Sequence, residues 1–211
     1  MAQLQLILVN DSLNAGNIVV YQQFGSEPSG NPLAWFSKYV YPNTQVSFSW
    51  DPTDYDFVWA GTGKITSGVV FDASQVVPAK LTTSNQITLS YDSLNHVFFF
   101  NHQTAGQQAN VFTIVEDSSL PMNAAAAGIG MAGRATFAVQ ATPNINVQFS
   151  PTNATYWVTF GTIQQGEFFT AATSLAPVQV QFPVNVNSMT VTLNADNTWT
   201  VKPNILMASL D

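Results

Sequence analysis

Residues Ala34–Tyr55 read AWFSKYVYPNTQVSFSWDPTDY, and Ala135–Tyr156 read ATFAVQATPNINVQFSPTNATY. The second stretch repeats the first at a constant offset of 101 residues, without a gap. Eight of 22 positions are identical: Ala34/Ala135, Phe36/Phe137, Pro42/Pro143, Asn43/Asn144, Val46/Val147, Phe48/Phe149, Ser49/Ser150 and Tyr55/Tyr156. Within the first copy, Val46, Phe48 and Trp50 point one way while Ser47 and Ser49 point the other, the period of a half-buried strand. Asp51-Pro52-Thr53-Asp54 then turns the chain. Tyr55, Phe57 and Trp59 alternate with Asp56 and Val58 in the next strand, so the segment reads as a hairpin.

The echo extends outward in order. Leu8, Val9, Asp11 and Ser12 match Ile114, Val115, Asp117 and Ser118. Gly68, Phe71 and Ala73 match Gly166, Phe169 and Ala171, and Asn85, Thr88 and Asn95 match Asn187, Thr190 and Asn197. The offset drifts by a few residues, as small surface-loop insertions would cause. These patterns predict an all-β chain: an antiparallel β-sandwich, internally duplicated, with two similar halves of about 100 residues in a pseudo-twofold relation. The expected boundary places residues 1–107 in the first repeat and 108–211 in the second, either as two closely packed sandwiches or as one continuous core. Further strands are expected at Leu4–Leu8, Ile18–Phe24, Leu33–Tyr41, Val69–Phe71, Gln86–Tyr91 and Val97–Phe100. The last, VFFF, is continuous apolar and predicts cover on both faces. Ser26–Pro32 reads as a loop, and Asn101–Asn110 as a linker. Met122–Met131 is a poor helix because of Gly128 and Gly130.

Composition narrows the function. Apolar residues make up 46% of 211, so the chain folds. Charged residues make up only 8%, against a typical ~25%. The surface is therefore polar but nearly uncharged. Net charge is −7, and the basic residues Lys38, Lys64, Lys80, Arg134 and Lys202 are scattered. No cluster is available to replace phosphate counterions, which argues against nucleic acid and anionic membrane surfaces. The absence of Cys removes disulfides, thiolate metal sites and Cys nucleophiles. MAQLQLILVNDSLN has no basic n-region, so a cytoplasmic location, or non-classical export, is expected. The small-residue run Ala124–Ala132 is far short of the ~20 residues of a membrane span. The sequons at Asn10 and Asn153 read as chance in an Asn/Thr-rich chain.

Several phrases, in order, resemble the rhizosphere-induced protein family, called RhiA-like in bacteria. They are VYQQF (Val20–Phe24), LAWFSK (Leu33–Lys38), DYDFVWAGTG (Asp54–Gly63), GVVFDASQ (Gly68–Gln75), GIGMAG (Gly128–Gly133), QATPN (Gln140–Asn144), YWVTFG (Tyr156–Gly161) and DNTWTV (Asp196–Val201). The resemblance spans nearly the whole chain. It implies a soluble bacterial or fungal protein linked with interactions among organisms, and it implies no catalytic residues.

The densest acidic group is Asp51, Asp54 and Asp56, flanked by Trp50, Tyr55 and Trp59. Carboxylates beside aromatic faces suit a sugar. Three of them could also supply part of a calcium shell. A solvated turn, with each Asp bonded to local backbone N–H groups, is the simpler account. The second copy, Pro151–Thr155, has no acid, so any role for the carboxylates belongs to the first half. Trp157 alternates out of phase with Tyr156 and Val158, which puts it on a solvent or interface face. The pair Glu116-Asp117 and Glu167 are too few and too turn-like for a glycosidase. His96 and His102 lie about 20 Å apart along an extended strand, too far for one metal ion. GIGMAG lacks a P-loop Lys and a βαβ setting. The expectation is therefore a non-enzymatic binding or interaction protein, with no cofactor and no bound metal. Its partner would be a glycan or a protein surface, through Trp50, Asp51, Asp54, Tyr55, Asp56, Trp59 and Trp157. The alternatives are a self-associating protein that forms a homo-oligomer or larger assembly, and a toxin or pore former built on Ala124–Ala132.

Overall fold

Alternation along the first strand sets the pattern for the fold. In β1 (Leu4–Asn10) Leu6, Leu8 and Asn10 are buried and their neighbours are not. The remaining strands are β2 (Gly16–Phe24), β3 (Phe36–Val40), β4 (Thr44–Trp50), β5 (Tyr55–Ala60), β6 (Gln75–Ala79), β7 (Gln86–Asp92), β8 (Val97–Thr104), β9 (Phe112–Glu116), β10 (Ala126–Met131), β11 (Arg134–Gln140), β12 (Ile145–Phe149), β13 (Ala154–Gly161), β14 (Val178–Val180), β15 (Ser188–Leu193) and β16 (Trp199–Pro203). The structure, a computed structural model, describes residues 3–24, 33–151, 154–170 and 174–205. The Ser26–Pro32 loop and the Asn153 sequon lie outside the described residues.

The strands form four four-stranded sheets, in the orders β16-β15-β1-β4 (sheet I), β14-β13-β2-β3 (sheet II), β11-β10-β5-β6 (sheet III) and β12-β9-β7-β8 (sheet IV). Sheets I and II enclose one core, with Leu6, Leu8, Ile18, Val20, Trp35, Trp50 and Val191. Sheets III and IV enclose another, with Phe57, Trp59, Ile87, Leu89, Phe112, Ile114 and Phe149. Adding eight to each strand of the first half, and subtracting eight from each of the second, turns sheet I into sheet IV and sheet II into sheet III. The register follows suit. Leu6 faces Phe48 and Leu8 faces Val46, just as Phe112 faces Phe149 and Ile114 faces Val147.

The expected boundary at 107/108 does not separate the two sandwiches. Every sheet takes two strands from each half. One sandwich uses β1–β4 with β13–β16, and the other uses the continuous run β5–β12. The chain crosses between them at Trp50–Tyr55 and again at Phe149–Ala154. Contacts between halves include two parallel pairs, β1 with β15 and β7 with β9, in otherwise antiparallel sheets. The segment read as a linker is held in place. Asn85 donates to the carbonyls of Gln108 and Val111 and accepts from the Gly106 N–H, at 2.7, 2.8 and 2.7 Å.

Three local expectations change. Trp50–Trp59 is no hairpin, because β4 pairs with β1 and β5 with β6 and β10. The VFFF strand has one open face: β8 is an edge strand, and Val97 and Phe99 are 45% and 39% exposed. The Ala-Gly run is a fully buried central strand, β10. Its glycines are there for space. A Cβ on Gly128 would lie 1.9 Å from the Phe137 carbonyl oxygen, and one on Gly130 2.6 Å from that of Arg134.

The segments around Gly68–Phe71 and Gly166–Phe169, matched in the sequence, bond to one another. The N–H groups of Gly68, Phe71 and Phe168 donate to the carbonyls of Phe168, Gly166 and Val69, at 2.7 to 2.9 Å. Val70 makes a single bridge with Glu167 rather than a strand. Phe71 and Phe168 pack with Leu33, Val58 and Ala138 at the seam between the sandwiches.

Candidate functional site

The crossover Trp50–Tyr55 disperses the residues that sequence proximity groups. Trp50 is buried in the first sandwich, where its indole N–H donates to the Tyr156 hydroxyl at 3.3 Å. Trp59 is buried in the second and donates to Gln75 Oε1 at 2.9 Å. Neither offers a face to a sugar. Tyr55 is half-buried against Phe112, and burial pushes its hydroxyl up to about 12. Asp51 accepts from the backbone N–H and the hydroxyl of Thr53, at 2.8 and 2.7 Å, and those bonds hold its carboxyl below the usual range. That is the solvated-turn account. Trp157 lies half-buried on the outer face of sheet II beside Val19, Tyr21, Ile163 and Phe169, and donates to the Thr155 hydroxyl at 2.9 Å.

Asp54 and Asp56 serve a different part of the chain. Met131–Arg134 makes the tight turn of the β10–β11 hairpin. Ala132 and Gly133 are both left-handed, with φ of 55° and 71°, as a two-residue primed turn requires. The Asp56 carboxylate accepts from the Gly133 N–H at 3.0 Å, and the Asp54 carbonyl accepts from the Ala132 N–H at 3.2 Å. The Trp35 indole donates to the Met131 carbonyl at 3.0 Å. Asp56 is buried, which raises its pKa against the opposing effect of the Gly133 bond. The acidic segment thus positions a hairpin. Among the described residues no group of three or more His, Asp or Glu is arranged to hold a metal ion.

Two concavities follow from this arrangement. One, of about 490 Å³, lies on the outer face of sheet IV. Gln86, Thr113, Asn146 and Gln148 come from its strands, and Gln107 and Gln108 from the loop held by Asn85. Its lining carries no charged residue. The side chains of Gln107, Gln108, Asn146 and Gln148 are exposed. Sequence reading missed this groove because its amides are scattered over two strands and a loop; their shared period-2 face was the available signal. The second, of about 480 Å³, lies at the seam of the sandwiches beside the β10–β11 turn and contains Arg134.

Glu116 is the notable titratable group. It is 1% exposed. Its Oε2 accepts from the Thr142 N–H at 2.8 Å, while Oε1 has no protein partner. Burial outweighs that bond and raises its pKa to about 7. The equivalent residue of the first half is neutral Asn10, also buried and bonded to Ser12 and Asn14.

No helix of the described residues is long and apolar enough to cross a membrane. The family model described as RhiA matches residues 1–204. Protein RhiA of Rhizobium leguminosarum bv. viciae is 32% identical over 206 residues, covering 95% of this chain and 87% of that protein. No solved structure matches the chain.

Proposed function

The chain belongs to the RhiA family, and from that premise we propose that it is a non-enzymatic binding protein that takes a neutral glycan in the amide-lined groove of sheet IV. One observation carries the reading: a concave surface of about 490 Å³ whose polar lining is amide and hydroxyl without charge. Amides donate and accept at once, which matches sugar hydroxyls. Gln86, Asn146 and Gln148 stand on strands, so their backbones are already ordered and only side-chain rotamer entropy opposes binding there. The corresponding face of the first half carries Gln45 and Ser47 in place of Asn146 and Gln148. A glycan array of plant, fungal and bacterial polysaccharides, followed by calorimetry, tests it. A bound glycan should lose about tenfold or more in affinity to Gln107→Ala with Gln148→Ala, the equivalent of one or two lost hydrogen bonds. Tyr39→Ala with Tyr41→Ala, at the exposed aromatic pair on and beside β3, should leave affinity unchanged. An array with no binder rejects the function, and loss only in the tyrosine variant rejects the site.

A second reading, self-association, has its own support in β8. This edge strand exposes Val97 and Phe99, and an edge strand is a template for strand addition. Light scattering decides it: a monomer mass independent of concentration excludes it.

A further inference from the structure

We infer that the cleft at the seam of the two sandwiches is a second, separate binding site, for a small monocarboxylate with an apolar body, and that Arg134 recognises its carboxylate. Arg134 is the only arginine of the chain. Its guanidinium carbon lies 5.1 Å from the centroid of the Phe36 ring. Arg134 begins β11 of one sandwich and Phe36 begins β3 of the other, so the contact spans the seam. Among the described residues no carboxylate pairs with the guanidinium. A guanidinium held against a ring retains in-plane N–H donors, in the fork that fits a carboxylate bidentately.

The surroundings define the rest of the ligand. Val70 and Val76, exposed by 45% and 39%, both line this cleft, as does Phe71. An apolar body laid against them removes exposed hydrocarbon from water. Asp72 is also in the lining and repels a second anionic group, so a monoanion is selected over a dianion. A net charge of −7 does not draw anions to the protein at large. Selection must therefore come from the local guanidinium. That group is well placed, because the residues before it are fixed by Asp54, Asp56 and Trp35. In the other repeat, the position equivalent to Arg134 is Leu33, fully buried. The cleft thus carries a single cationic group, and it binds one carboxylate.

The test is a ¹⁵N-correlation titration of the full chain with hexanoate, benzoate, hexanamide and galacturonate at pH 7 and constant ionic strength. Hexanoate and benzoate should give saturable shifts confined to the amides of 70–73, 133–135 and 165–166. Hexanamide should bind about tenfold or more weakly, as a charge-assisted bond is lost. Arg134→Gln should lose affinity by a similar factor while its spectrum remains folded, and Arg134→Lys should retain an intermediate part. Shifts elsewhere, no saturation in the millimolar range, or equal binding by Arg134→Gln or hexanamide would overturn the assignment. Tighter binding of galacturonate than of hexanoate would overturn the apolar body. The groove variant Gln107→Ala with Gln148→Ala should bind hexanoate as the parent does, and loss there would overturn the separateness of the two sites.

Discussion

The Asp56 carboxylate accepts a hydrogen bond from the Gly133 N–H at 3.0 Å across 77 positions of sequence. Asp56 sits in a central strand of sheet III, and Gly133 is the second left-handed residue of the turn that begins β11. Removing the acceptor breaks the bond that holds the turn, and the exposed Gly133 N–H passes to water. Asp56→Ala should lower stability by about 1–3 kcal/mol. Asp56→Asn keeps an acceptor oxygen and should cost less than about half of that. Urea midpoints measure both; equal losses would mean that the charge, not the bond, is what matters.

Glu116 makes stability depend on pH in a defined direction. Its pKa rises from 4.5 to about 7 on folding. Below pH 4.5 the carboxyl is neutral in both states, and its full contribution to stability is present. As pH rises to about 7 the unfolded chain ionises first, and that contribution is lost. The loss is at most about 3 kcal/mol, since each pKa unit corresponds to roughly 1.4 kcal/mol. Glu116→Gln keeps the acceptor for Thr142 and should be more stable than the parent at pH 8. The two should coincide near pH 4.5. A pH-independent difference in urea midpoint would contradict the assignment.

Gly128 marks the closest approach in sheet III. A Cβ there meets backbone atoms, the Phe137 carbonyl oxygen at 1.9 Å and the Ala138 Cα at 2.6 Å, so no rotamer relieves it. Gly128→Ala should cost about 3 kcal/mol or more, at the upper end of overpacking. A neutral Gly128→Ala in thermal melts would refute the packing.

The two sandwiches differ in how the chain supplies them. Tyr55–Phe149 contains every strand of sheets III and IV in one run. That fragment should unfold cooperatively in urea as a monomer. Cleavage between 107 and 108 instead leaves each sheet with half its strands on each piece. The pieces should remain associated under native conditions and separate only on denaturation. Size-exclusion chromatography after cleavage at an inserted protease site reads this directly, and ready dissociation would argue against the strand exchange.

The sequence by itself determined that the chain is all β, which face of the alternating strands is apolar, and which positions of the two halves echo one another. These are local properties: alternation at a period of two assigns faces, and the gapless offset of 101 aligns Val46 and Phe48 with Val147 and Phe149. It also marked Asp51 as a turn residue, because an Asp two positions before Thr53 satisfies its N–H whatever surrounds it. Only the tertiary structure decided which strands pair. Backbone hydrogen bonds along a sheet edge are nearly indifferent to side chains, so β4 pairs with β1 and β15 with β1 for reasons of global packing that no single strand carries. That choice sent Trp50 and Trp59 into different cores and turned an apparent aromatic-acidic patch into a crossover. The same pairing assembled the amide groove and the Arg134 cleft from residues far apart in the chain. Echo positions such as Phe36 and Tyr55 kept the core roles that the repeat implies, while Asp54 and Asp56 serve a hairpin that comes into reach only when the two halves exchange strands.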